Sequence, residues 1–137
     1  MGFFLVKEIK SRDGELHFRR WRIIETPWFS IYVHGIYKAD EDKHMHDHPW
    51  NYTSIVLRGF FSERIPDPNR PNREECLVLG PSKIVRRKAE QFHKIEQLHS
   101  PTVYTLFFTG RRRREWGYRT EHGWIDHKTY RKQKHNK

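Results

Sequence analysis

The run His44-Met45-His46-Asp47-His48-Pro49-Trp50 places an imidazole at every second position of a short stretch. In an extended strand alternate side chains share a face, so His46 and His48 point the same way, about 7 Å apart along the chain. That spacing lets two imidazoles reach one transition-metal ion. His44 has the same parity but sits closest to the charged segment Ala39 to Lys43. A third ligand must come from a distant part of the chain, and His93 in Gln91-Phe92-His93-Lys94-Ile95 is the best candidate. The chain holds ten histidines, so chance clustering on an exposed face is the competing account. The period of two, the Pro-Trp flank and the apolar strand that follows favour metal. His17, His34, His99, His122, His127 and His135 lack that context and read as surface or locally hydrogen-bonded residues.

Beyond Pro49, an unbroken alternation would put Tyr52, Ser54, Val56 and Arg58 on the face of His48. An inward Arg58 would offer a fork of donors to a substrate carboxylate or phosphate. A bulge in the same strand would instead turn it to solvent. Asp47 faces away from the histidines and is expected to cap a loop, and Trp50 to pack at the mouth of the fold.

The elements that must position these residues are short strands. Residues 3–9 and 16–25 form two, joined by the Asp13-Gly14 turn, and 28–37 a third. Residues 50–64 make a long strand or a bent pair hinged at Gly59. The prolines at 66, 68 and 71 predict a loop, because proline cannot donate to a ladder. Further strands are expected near 74–79, 82–87, 92–97 and 103–109, and a weak helix around 124–134. Many short strands in this rhythm predict an all-β sandwich or barrel.

Two segments resemble a known family, the cupin superfamily. HMHDHPWNYTSIVLRGFFSE is similar to its first motif, with His46 and His48 matching the paired histidines and Gly59 the closing glycine. RRKAEQFHKIEQL is similar to the second motif, whose histidine is matched by His93. RRWRIIETPWFSIYVH, HDHPW and YTLFFTG followed by REWGY resemble a group of small uncharacterised bacterial and phage cupin-like proteins. The resemblance implies a single cupin-type β-barrel (double-stranded β-helix, or jelly roll) over residues 1–125, and the charge placement a short basic C-terminal tail, 126–137. It also implies one divalent transition metal on His46, His48 and His93.

The motif's glutamate ligand falls at Tyr52, so the resemblance implies a neutral three-histidine site suited to Fe(II) or Zn(II), with Mn as a further alternative. Tyr52 is then a weak fourth ligand, a hydrogen-bond donor or a wall residue. Glu115 reads as a surface ion-pair partner among arginines, and as an acid/base residue only through the resemblance. The fold hosts many chemistries. The leading expectation is an Fe(II) oxygenase acting on a small anionic molecule, with Tyr52, Arg58 and Glu115 as catalytic candidates. The alternatives are a Zn or Mn isomerase or hydrolase, and a non-enzymatic binding module.

Length and charge bound these readings. One domain is all that 137 residues accommodate. Residues 111–137 hold ten Lys/Arg against three Asp/Glu, and the preceding 110 hold seventeen against fourteen. The basic end is therefore the place where nucleic acid would bind, although no nucleic-acid motif accompanies it. A lone cysteine, Cys76, excludes an intramolecular disulfide and fits a reducing compartment. The opening apolar run is too short for a signal peptide or a membrane span, so a cytoplasmic protein without membrane contact is expected, with a homodimer as one assembly to consider.

Overall fold

A computed structural model describes residues 4–135. Eleven strands and one helix follow in chain order among them. They are β1 (Phe4–Lys10), β2 (Leu16–Glu25), β3 (Ser30–Ile36), β4 (Tyr52–Arg58), β5 (Phe61–Asp67), β6 (Arg70–Leu79), β7 (Ile84–Arg87), β8 (Lys94–Leu98), β9 (Val103–Thr109), β10 (Gly117–Thr120), β11 (Gly123–Asp126) and α1 (His127–His135). A six-stranded sheet has the order β1-β2-β3-β9-β4-β7, and a three-stranded sheet the order β6-β5-β8. Every pairing is antiparallel. No described helix is long and apolar enough to cross a membrane.

Between the two large sheets lies a core of Ile36, Val56, Phe61, Leu79 and Val103. Tyr32, Tyr52 and Phe107 form a second, aromatic cluster, with Trp50 against it. The register places Ile36 opposite Val103, and Tyr32 opposite Phe107. One end of the sandwich is thus aliphatic and the other aromatic, and the histidines sit at the aromatic end.

The expected closed barrel is corrected to a pair of sheets with open edges. Among the described residues no ladder joins the six-stranded sheet to the three-stranded one. The segment around His46 would have to bridge them, and it makes only isolated bridges, to His93 on one side and Tyr118 on the other. Pro49 lacks an N–H and cannot extend that pairing.

Three more expectations are refined. Gly59 is the hinge, at φ +92°, and a Cβ there would collide with the Thr102 carbonyl. The proline-rich stretch is a hairpin rather than a loop, with Pro66 opposite Glu74 and Asp67 opposite Arg70. β8 stops pairing with β5 at Arg64, so the outer part of β5 has one open side, where proline costs no ladder bond. Finally, the basic C-terminal stretch is not a free tail over its described length. Residues His127–His135 are helical, with Tyr130 stacked on Tyr118 at 3.8 Å between ring centroids and His127 stacked on Trp116 at 4.4 Å.

Candidate metal centre

The backbone sets the three histidines. The His46 N–H donates to the His93 carbonyl and the His93 N–H returns the bond to His46, both at 2.9 Å. The His48 N–H donates to Ala89 at 2.9 Å. Asp47, between them, faces the other way and is 1% exposed. Its carboxylate accepts from the Gly117 N–H at 2.7 Å, from the Arg114 guanidinium at 2.7 Å and from the Trp124 indole at 3.0 Å. Asp47 therefore ties the histidine segment to β10 and β11, a stronger anchoring than the loop cap expected of it.

One nitrogen from each of His46, His48 and His93 lies within 4.8 Å of the others. The Nε2 atoms of His48 and His93 are 3.3 Å apart. Behind His93, its Nδ1 lies 3.0 Å from a Glu63 oxygen, and the second Glu63 oxygen is ion-paired with Arg87. Both partners are buried, Glu63 at 4% and Arg87 at 9% side-chain exposure. An ionised carboxylate only accepts, so Nδ1 of His93 carries a proton, and its Nε2 is turned towards His48. Burial pushes the Glu63 carboxyl up, but the His93 and Arg87 charges more than reverse this and hold it below the ordinary range. The donor set fits a transition metal: three imidazoles, one of them oriented by a carboxylate in the way metal-binding histidines usually are. The Nδ1 of His48 is buried with no hydrogen-bond partner among the described residues.

Burial, with the His93 charge next, lowers His46 to about 4. Burial, His93 and His46 put His48 well below the ordinary imidazole value. Both rings are thus neutral near pH 7, the state a metal requires. In the unfolded chain they titrate near about 6.5, so between that pH and about 4 the unfolded state binds more protons than the folded one. The metal-free protein is therefore expected to lose stability as pH falls through this window. Urea unfolding at a series of pH values checks it, and a flat profile would contradict a buried neutral cluster.

Aromatic rings wall the cluster. Trp50 stacks on His48 at 5.5 Å, Tyr52 lies 4.5 Å from it, and Trp116 and Tyr118 flank His46 at 5.9 and 6.1 Å. The Tyr52 hydroxyl is buried and makes no well-formed hydrogen bond to a described residue, although it faces Arg87. Burial, then the Glu63 charge, pushes its pKa upward, so it stays protonated.

The other catalytic candidates are not brought to the site. Arg58 is exposed, because the register of β4 against β9 shifts between Val56 and Arg58 and breaks the alternation that would have turned it inward. Glu115 is exposed and bound to Arg112 at 3.1 Å and His127 at 3.3 Å, and it is not one of the clustered metal-capable groups. His44 bonds Tyr130 and Glu121, both at 3.0 Å, and stays outside the cluster. Of the acidic residues near the motifs, Glu90 pairs with Arg113 and Glu96 with Arg64. Sequence reasoning missed Glu63 and Arg87. The available signal was the parity Phe61, Glu63, Ile65, a lone carboxylate on an otherwise apolar strand face.

No protein-family model matches this sequence, and no curated protein does. Solved structures share its fold. A cupin-2 domain protein from Rhodospirillum rubrum superposes with a TM-score of 0.65 at 12% identity, over 89% of this chain and 78% of its own. The Fe(II) form of HppE gives 0.59 at 14% identity over 75% of this chain, which spans only 55% of HppE. A mannose-6-phosphate isomerase-like protein from Ralstonia eutropha JMP134 gives 0.58 at 13% identity, over 69% of this chain and 84% of its own. At these identities the likeness establishes a cupin-like fold.

Proposed function

We propose that this chain is a metal-dependent enzyme of the Fe(II) oxygenase type, acting on a small anionic molecule. The observation that carries the proposal is the convergence of His46, His48 and His93, with Glu63 orienting His93 and no carboxylate among the three. A dication held by neutral ligands keeps its full charge towards its open face, which favours an anionic, chelating substrate. Fe(II) there would supply oxygen activation, and HppE is an Fe(II) protein of the same fold.

The chain's own residues support this over an isomerase or hydrolase. Those reactions need a group that takes up and returns a proton. Glu63 is locked between Arg87 and His93, and burial keeps Tyr52 protonated. Tyr118 is committed as a donor to Asp42 at 2.9 Å. These three side chains orient His93 and wall the cluster, and none of them is free to take up and return a proton; Asp40, whose carboxylate lies 4.0 Å from Nδ1 of His46, accepts from the Ile95 N–H at 2.8 Å. Trp50, Tyr52 and Phe107 form an apolar wall against which a substrate would lie.

The test is anaerobic reconstitution with Fe(II) followed by nitric oxide as a dioxygen surrogate. A high-spin iron–nitrosyl electron paramagnetic resonance signal is the expected result, because a three-histidine site leaves coordination positions open. Iron that binds yet gives no nitrosyl signal, together with retained zinc from purification, would overturn the oxygenase reading in favour of the zinc alternative.

A further inference from the structure

The six-stranded sheet carries a row of cations on the face that holds the aromatic cluster. Lys7 on β1 stands directly opposite Arg20 on β2, and Arg20 opposite His34 on β3. Directly opposed residues of an antiparallel pair share a face with their Cβ atoms about 5 Å apart, and like charges in that arrangement repel. The chain nevertheless places lysine against arginine there.

Arg20 is aimed inward. Its Nε donates to Nε2 of the buried His34 at 3.0 Å, and its guanidinium lies 4.7 Å from the Tyr32 ring centroid. His34 packs on Phe107 at 4.4 Å, and Phe107 lies 6.5 Å from His48. A third cation comes from the C-terminal helix. Arg131 on α1 lies over Trp116 at 5.7 Å, and Trp116 abuts His46 at 5.9 Å. Arg20 is the cross-strand neighbour of Lys7, and Arg131 adds a second positive charge that acts on it. None of the three cations has a carboxylate within 4.0 Å among the described residues. Glu25, the acid nearest in effect to Arg20, is occupied by the Tyr32 hydroxyl at 2.7 Å.

We propose that Lys7, Arg20 and Arg131 form the seat for the anionic group of the ligand, a carboxylate or phosphate-type head on a small molecule whose other end lies towards the three histidines. The substrate role of this seat rests on the metal-centre reading above; its ability to bind an anion does not. A guanidinium fork, an ammonium and a second guanidinium arriving from different elements suit a group with several acceptor oxygens. An anion placed between Lys7 and Arg20 relieves the repulsion that the strand pairing builds in. Burial and the Arg20 and Arg131 charges push the Lys7 ammonium below its usual value, in keeping with three crowded cations. This seat does the work that an inward Arg58 was expected to do, from the β1–β2 end of the same sheet.

The probe is inorganic phosphate, titrated into the metal-free and the zinc-loaded full chain by calorimetry. The parent should bind phosphate without metal. Lys7→Gln and Arg131→Gln should each weaken it about tenfold, the loss expected for one charge-assisted hydrogen bond. Arg20→Gln should weaken it at least as much. Arg70→Gln, an exposed cation on the β5–β6 hairpin, should leave it unchanged. Arg20 also packs against rings, so Lys7→Gln keeps the test decisive if Arg20→Gln does not fold. Absence of phosphate binding in the parent, or an equal loss in Arg70→Gln, overturns the seat. If metal binds but phosphate is indifferent to Lys7 and Arg20, the seat falls alone. If the metal-free chain binds phosphate with this dependence but takes up no metal, the seat stands and the metal-centre reading falls.

Discussion

His93→Ala should purify without the roughly one transition-metal ion per chain that a site of this donor set holds. His46→Ala and His48→Ala should do the same. Each removes one of three imidazoles whose nitrogens lie within 4.8 Å of one another, leaving two neutral donors for a divalent ion. Glu63→Gln provides the internal scale. Glutamine can still accept from Nδ1 of His93, but it removes the negative charge that makes the ring a stronger ligand. Loss of such an outer partner lowers metal affinity by about 10–100-fold, and loss of His93 itself should exceed that. Metal analysis by mass spectrometry, with competition against a chelator, reads both variants. Full occupancy in His93→Ala would remove it from the ligand set. A Glu63→Gln protein with parental affinity would show that the Glu63–His93 bond does not tune the metal.

Arg87→Met should destabilise the fold by about 3–5 kcal/mol, because it leaves the Glu63 carboxylate buried without its ion-pair partner. Glu63 and Arg87 are 4% and 9% exposed, so water cannot take over from the lost guanidinium. The double variant Glu63→Gln/Arg87→Met should recover most of that loss, since no uncompensated charge is then buried. Urea denaturation of the metal-free proteins measures all three free energies and separates stability from metal binding. Parental stability in Arg87→Met would mean that the carboxylate is solvated or protonated in the fold, and the account of His93 orientation would lose its basis.

The histidine site was legible in the chain because its signal is local. His46 and His48 are two residues apart, and His93 sits in its own short strand-like segment, so strand parity and residue type were enough. Strand content was readable for the same reason. Turn chemistry at Asp13-Gly14 and Gly59 separates runs that each show apolar or aromatic content. What needed the tertiary structure was every feature that depends on which strand lies beside which. Glu63 and Arg87 come from β5 in one sheet and β7 in the other, and only their meeting makes a support for His93. Lys7 and Arg20 are cross-strand partners through a register that includes shifts in β1, which no local pattern encodes. Arg58 shows the reverse case. Its inward placement followed from strict alternation, and a register shift one residue earlier, set by packing against β9, turned it to solvent. The C-terminal stretch read as a solvated basic tail because charge dominates its composition. Tyr130 stacking on Tyr118 and His127 on Trp116 decided otherwise, since a few aromatic contacts bury more apolar surface than exposed charges can oppose. By itself the sequence determined a β fold with three metal-capable imidazoles on the parity that brings them together. Tertiary pairing decided the carboxylate behind them, the cross-strand Lys7–Arg20 pair and the open edges of the two sheets, because those depend on contacts between residues far apart in the chain.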